Sequence, residues 1–289
     1  MRAAALGLAL AAAWPGTGPA EAWIPPVERV ARAAARANDA AGRDRPLRLE
    51  VAVWPEEVGP GGPAPPEVRA PAGMPSAPAP AAPEGPLATG TLLADPDGRA
   101  RLELVHREGF RERHLLRGTA LRATRDGAPL PDPTPLLPPL GPLQADSGGE
   151  LLGWLTLHGA PREAELGHEG PHDAVVLGGR GGGAAIWVDQ EDWSVVRVDR
   201  ADGVRFHFGP PEDFGGVRLP GWIDVEAPGR PPLRLEVQAA EPVTPPPGAF
   251  SPAWLEPPPP APPSRPVAPP PSSGPGTGAP DARPPPPAR

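Results

Sequence analysis

An apolar residue at every second position is the feature that most constrains this chain. Leu47, Leu49, Val51 and Val53 alternate with Arg48, Glu50 and Ala52. The same period returns in Leu102/Leu104 against Arg101/Glu103, Ile186/Val188 against Trp187, Val204/Phe206/Phe208 against Arg205/His207, and Leu233/Leu235/Val237 against Arg234/Glu236. Residues two apart in a strand share a face, so most of these runs have one apolar and one polar side. That is the pattern of an antiparallel sheet wetted on one side, since buried parallel strands read as unbroken apolar runs. Turn residues fall between the runs: Asp95–Pro96–Asp97–Gly98, Gln190–Glu191–Asp192 and Asp202–Gly203 supply the conformations that hairpins need. With strand-like pieces at Arg111–Leu116, Thr119–Thr124, Ala174–Leu177 and Trp222–Glu226, the chain holds about ten strands at hairpin spacing. A meander of that length curls or closes, so the expected fold is mainly β: a strongly curved, incomplete antiparallel β-barrel.

Proline sets the limits of that barrel. Of 289 residues 53 are Pro, and they cluster: 16 in Glu256–Arg289, 11 in Pro55–Pro86 and 7 in Pro129–Pro142. The tail, 256–289, has no periodic apolar content and reads as an unfolded, polyproline-rich segment, through which an envelope protein partner would be met. Pro55–Pro86 reads as a disordered insertion within one domain over residues 23–255. Ahead of that domain, Met1–Arg2, the small-apolar run Ala3–Trp14, the break at Pro15–Gly16 and Ala20–Glu21–Ala22 have the layout of a secretory signal peptide over residues 1–22. The apolar run of about 12 residues is too short to span a bilayer, and no later window supplies a span. A soluble, monomeric protein exported to the periplasm is expected.

Composition removes several classes of function. Net charge is −8, all 27 basic residues are arginine, and the series Arg111–Arg113–Arg117–Arg122–Arg125 is broken by apolar residues at strand spacing. It reads as solvated strand faces, so nucleic acid is not an expected partner. With no cysteine, disulfides, thiol catalysis and cysteine metal sites are excluded. His168–Glu169–Gly170–Pro171–His172–Asp173 collects metal-ligating types, but Gly170 and Pro171 forbid a helix, and a polar loop is the expected reading. Gly179–Arg180–Gly181–Gly182–Gly183–Ala184 fits a dinucleotide fingerprint formally, yet a strand follows where the phosphate would need a helix N-terminus. It reads as a hairpin connection. The acidic pairs Glu191/Asp192 and Glu212/Asp213 sit at turns, and no nucleophile with a base is visible, so no catalytic residue, metal or cofactor is expected.

Helical material is scarce. After Pro25–Pro26, Val27, Val30, Ala31 and Ala34 fall at i, i+3, i+4 and i+7, predicting an amphipathic helix that ends near Gly42. Leu151, Leu152, Trp154, Leu155 and Leu157, bounded by Gly148–Gly149 and Gly159, favour a short apolar helix, although a buried strand has the same apolar content. About ten one-sided strands make a broad apolar face that so little helix covers poorly. Leu102, Leu104, Ile186, Val196, Val198, Val204, Phe206, Phe208 and Leu235 are therefore candidates to line an apolar cavity, with Val27, Val30, Leu151, Trp154 and Leu155 as its lid. The opposing reading is that the helices simply plug a closed core.

The order of signal peptide, N-terminal helix, strand, meander, helical interruption and second meander resembles the LolA/LolB-type outer-membrane lipoprotein carriers. Gly98–Arg99–Ala100–Arg101–Leu102–Glu103, Ile186–Trp187–Val188–Asp189 leading to Val196–Arg197–Val198, and Phe214–Gly215–Gly216–Val217–Arg218–Leu219–Pro220–Gly221–Trp222–Ile223 carry the resemblance over about Trp23–Leu255. It implies a non-catalytic carrier whose barrel cavity holds the acyl chains of a lipoprotein or lipid, admitted by displacing a mobile lid. That family's gating arginine is not assigned to a position in this sequence. The Pro-rich insertion and tail depart from the carriers, and a sensor of the RseB kind, using the barrel as a scaffold, is the alternative the resemblance allows.

Overall fold

The computed structural model describes residues 24–38, 45–56 and 85–256. The signal-peptide reading, nearly all of the Pro55–Pro86 insertion and the tail beyond Glu256 lie outside the described residues. The first helix ends at Ala37, short of the expected end near Gly42, because Asn38 caps it with its backbone N–H donating to the Ala34 carbonyl. The first element is helix α1, Val27–Ala37, with Pro26 at its N-cap and Val30, Ala31, Ala34 and Ala35 on its buried face. Strands β1 (Leu47–Pro55), β2 (Ala88–Ala94), β3 (Arg99–His106), β4 (Arg111–Arg117), β5 (Ala120–Arg125) and β6 (Ala128–Leu130) follow as a meander. Two helices interrupt it, α2 (Gly141–Gln144) and α3 (Gly148–Leu157). A second meander then runs through β7 (Ala164–Glu169), β8 (His172–Leu177), β9 (Ala185–Asp189), β10 (Val195–Asp199) and β11 (Arg205–Phe208). The small hairpin β12 (Pro211–Asp213) and β13 (Arg218–Pro220) precedes β14 (Trp222–Glu226) and β15 (Leu233–Pro242), and a 3₁₀ turn, Pro252–Leu255, ends the described chain.

The architecture is mainly β: thirteen strands form one antiparallel sheet in the order β6-β5-β4-β3-β2-β1-β15-β14-β11-β10-β9-β8-β7, with β12 and β13 apart. The first strand and the last pair in the middle of the sheet, which joins the two meanders. The free edges are β6 and β7, so the sheet is an incomplete curved barrel and not a closed one. The strands not foreseen are β6, β7, β12 and β13. Three of these have only three residues, too few to show a period, and β7 reads Ala-Glu-Leu-Gly-His-Glu, with one strongly apolar residue.

The link between the two free edges fills the concave face. It leaves β6, runs through Leu136, Leu137 and Leu140 into α2 and α3, and enters β7. Those leucines form one continuous core with Val30 and Ala34 of α1, Leu151 and Leu155 of α3, and Leu102, Leu104, Ile186 and Phe206 from the sheet. The predicted helix at 151–157 is thus present, begun by Ser147, whose hydroxyl accepts from the backbone N–H of Glu150. Gly148 lets α3 approach α1 closely: a Cβ there would stand 2.7 Å from the backbone nitrogen of Arg32.

Candidate functional site

The residues proposed to line a cavity are mostly together, and they are packed. Leu102, Leu104, Ile186, Val198, Val204, Phe206, Phe208 and Leu235 are all buried in the core, and Phe206 is 0% exposed. Val196 is not with them. Its strand pairs Val195 with Val188 and Arg197 with Trp187, a register shift that leaves Val196 as the extra residue of a bulge. Val195 and Val198 therefore face the core, while Val196 packs with Ala174, Val176, Ala185 and Trp187 on the convex face. The alternation of 196 with 198 misplaced it because a bulge breaks the period of two. Of the lid residues, Val30, Leu151 and Leu155 are buried, while Val27 and Trp154 are half-buried against the core.

Open space lies at the mouth of the barrel. A groove of about 510 Å³ runs between the β2–β3 turn, the end of β4, the Pro138–Gly141 segment and α3. An adjoining hollow of about 260 Å³ extends it to the turn at Arg200–Asp202. The two share Leu116, Gly118, Pro139, Trp154, Leu157 and His158, so they are two parts of one cleft. This volume falls in the range of roughly 300–1,000 Å³ for sites that take small organic ligands. Of the predicted lining and lid residues, only Trp154 reaches it.

Its walls are built locally. On α3, His158 caps the helix, its Nδ1 lying 2.8 Å from the Trp154 carbonyl, and the two rings stack with centroids 4.0 Å apart. Immediately before His158, Leu157 is 65% exposed at the cleft, the largest exposure of any large apolar side chain among the described residues. The facing turn is fixed by Asp95, a buried carboxylate that accepts from the Arg99 backbone N–H at 2.9 Å and from its guanidinium at 2.6 Å. The hydrogen bond from Arg99 to Asp95 holds that guanidinium firmly charged, raising its pKa above the usual arginine value against a smaller effect of burial. Deeper, Gln144 of α2 lines the groove at 3% exposure, and neither its amide nitrogen nor its carbonyl oxygen has a partner in the protein. Buried polar groups are normally paired, so this carboxamide marks a place where a polar group or water is wanted. Sequence reasoning missed Leu116, Gly118, Pro138 and Gln144. α2 has four residues, too few for a helical period, and groove walls made of turns carry no period at all.

Polar clusters elsewhere are hydrogen-bonded networks, in which the His114 Nδ1 and the Nε2 atoms of His106 and His207 are left without a hydrogen-bond partner. On the concave face Glu112 accepts from Arg125 at 2.8 and 3.0 Å and from His114 at 3.1 Å. Burial pushes this carboxyl up, but the hydrogen bonds from His114 and Arg125 and the charges of His114 and His106 outweigh it, to about 2. On the convex face Arg197 bridges Glu169 and Asp199 and lies over the Trp187 ring at 4.4 Å, while His207 meets Glu169. Burial lowers the His207 pKa, and the Glu169 contact more than restores it, so the imidazole is raised above its ordinary value.

The His168–Asp173 stretch is a hairpin and not a loop: His168 and Glu169 end β7 and His172 begins β8. Its groups diverge, His168 to Asp173 at 2.7 Å, His172 to Asp189 at 3.1 Å and Glu169 to Arg197. Among the described residues no three His, Asp or Glu side chains converge as a metal ion requires. Residues Gly178–Ala184 form the hairpin connection between β8 and β9, as the strand after the glycines implies.

No protein-family model matches the chain, and no curated protein matches it. In shape it is similar to a solved LolA superfamily protein from Nitrosomonas europaea, at 10% identity and TM-score 0.45 over 77% of this chain and 97% of that one. A DUF1329 family protein from Desulfovibrio piger is similar at 11% identity and TM-score 0.36 over 81% of this chain and 100% of that one. At TM-scores of 0.45 and 0.36 these likenesses carry no ligand, activity or family from those proteins to this one.

Proposed function

We propose that this protein is a non-catalytic binder of the acyl chain of a lipid or lipoprotein, acting in the periplasm after removal of residues 1–22, with the chain entering at the mouth cleft. The supporting observation is the cleft itself, in which Leu116, Pro138, Pro139, Trp154 and an outward-facing Leu157 form an apolar wall beside the polar Asp95, Arg99 and Gln144, adjoining the leucines that plug the concave face. In this arrangement the plug of Leu136, Leu137 and Leu140 is the closed state, and longer chains are accommodated by displacing it together with α3. The lining set Leu102, Leu104, Ile186, Val198, Val204, Phe206, Phe208 and Leu235 is then reached only in the opened state.

A second reading has a specific observation in its favour. The core on the concave face is continuous and Phe206 is wholly enclosed, which suits a scaffold or sensor of the RseB kind that never opens. Titration with a fluorescent fatty acid separates the two. Leu157→Asp alters an exposed side chain and leaves the fold intact, so the carrier reading expects binding by the wild type and at least about tenfold weaker binding by the variant. No binding by a folded wild type leaves the scaffold reading.

A further inference from the structure

The five arginines read as solvated strand faces divide in the fold. Arg111 and Arg113 reach Glu103 at 3.4 and 3.2 Å, and Arg125 reaches Glu112 at 2.8 Å. Arg117 and Arg122 have no acidic partner among the described residues. Strand pairing sets Arg117 opposite Arg99 and Arg122 opposite Leu115, so the three arginines come together on the outer face of β3–β5. They line a hollow of about 460 Å³ with Leu115, Ala120 and Pro252. Arg99 is shared between Asp95 at 2.5 Å and Asp97 at 3.0 Å, and Phe250 lies against it at 5.3 Å. Two uncompensated guanidiniums in a concave site on a chain of net charge −8 are a local reversal of the protein's charge.

This hollow touches the mouth cleft. Arg99 lines both, and so does Gly118, in the β4–β5 turn, which at φ 60° puts no side chain on the rim between them. We propose that the hollow binds an oxyanion, best matched by a phosphate monoester, as the headgroup of the amphiphile whose apolar chain lies in the mouth cleft; this rests on the reading of the cleft given above. Guanidinium forks pair bidentately with phosphate oxygens, and the rim lets one molecule lie with its chain inside and its head outside.

The test is calorimetric titration of the exported protein with lysophosphatidic acid, with the monoacylglycerol of equal chain length, and with inorganic phosphate. Lysophosphatidic acid is expected to bind at least about tenfold more tightly than the monoacylglycerol at low salt, the gap narrowing as salt rises. The double variant Arg117→Ala/Arg122→Ala, with an unchanged melting temperature, should abolish that gap while monoacylglycerol binding stays as it was. Equal affinities for the two amphiphiles, or a gap that survives the double variant, overturn the headgroup site. Inorganic phosphate binding that the double variant removes, with neither amphiphile bound, keeps an oxyanion site for free phosphate and overturns both the headgroup assignment and the acyl-chain reading. No binding of any probe overturns both as well.

Discussion

At the β8–β10 end of the sheet both faces hold packed apolar side chains, Val175, Leu177 and Ile186 inside and Ala174, Val176, Trp187 and Val196 outside, with the ion pairs of Arg197 over the outer ones. At the β3–β5 end both carry charge, Glu112 and His114 on the concave side and Arg99, Arg113, Arg117 and Arg122 on the convex side. The first end needs no ligand to be complete, because each apolar face is covered and Arg197 and Asp199 close over Trp187. The second is where the cleft opens and where guanidiniums remain uncompensated. A sheet whose middle strands follow one rule can thus be structural at one end and receptive at the other, and the departures from the rule show which is which.

The largest effect should come from the shared interior. Phe206→Asp places an unpaired charge in a wholly enclosed site, so the domain is expected to unfold, a loss above about 4 kcal/mol, seen as collapse of the circular dichroism spectrum. A folded variant would mean that the concave face holds open, hydrated space.

At the charged end, Glu112→Gln removes the negative charge and one of the two oxygens that accept from Arg125 and His114, and should cost about 2 kcal/mol in denaturant unfolding at neutral pH. The sign with pH follows from a folded pKa of about 2 against an ordinary 4.5. The stability held by the ionised carboxylate is fully present above about 4.5 and is lost as pH falls through about 2. The variant should lack that part of the acid dependence; an unchanged acid profile would show that the cluster adds nothing.

Gln144→Leu works in the other direction. Removing an unpartnered buried carboxamide should stabilise the domain by about 1 kcal/mol, raising the melting temperature by roughly 2–4 °C, while weakening ligand binding at the cleft. Destabilisation would mean that Gln144 is paired through bound water in the free protein. The smallest effect belongs to the apolar end: Val196→Thr should change stability by no more than about 0.5 kcal/mol, whereas Val198→Thr, inside the core, should cost about 1–3 kcal/mol. Equal costs would place both residues on one face and remove the bulge.

What the sequence disclosed and what it hid divide along the same physical line. Leu47 to Val53 and Val204 to Phe208 state their faces outright, because a period of two is a local property of a strand. The α3 helix is legible from Leu151, Trp154 and Leu155 between glycines. Val196 was hidden because a bulge is set by the partner strand, and β7 because its pairing with β8 and the packing of Gly167 against Trp187 substitute for apolar content. The cleft was hidden most completely. Its walls come from turns and element ends far apart in sequence, Asp95, Gly118, Pro139 and Leu157, which only the folded sheet and its helical link assemble.

The central claim, that an apolar chain short enough to leave the plug in place lies at the mouth and not within the concave core, is tested most directly by photo-crosslinking. A diazirine placed midway along the chain of lysophosphatidic acid should, after irradiation and peptide mapping, label Leu116, the Pro138–Leu140 segment, Trp154 or Leu157. Label confined to Ile186, Phe206 or Leu235, or no label above that of a soluble diazirine control, would contradict it.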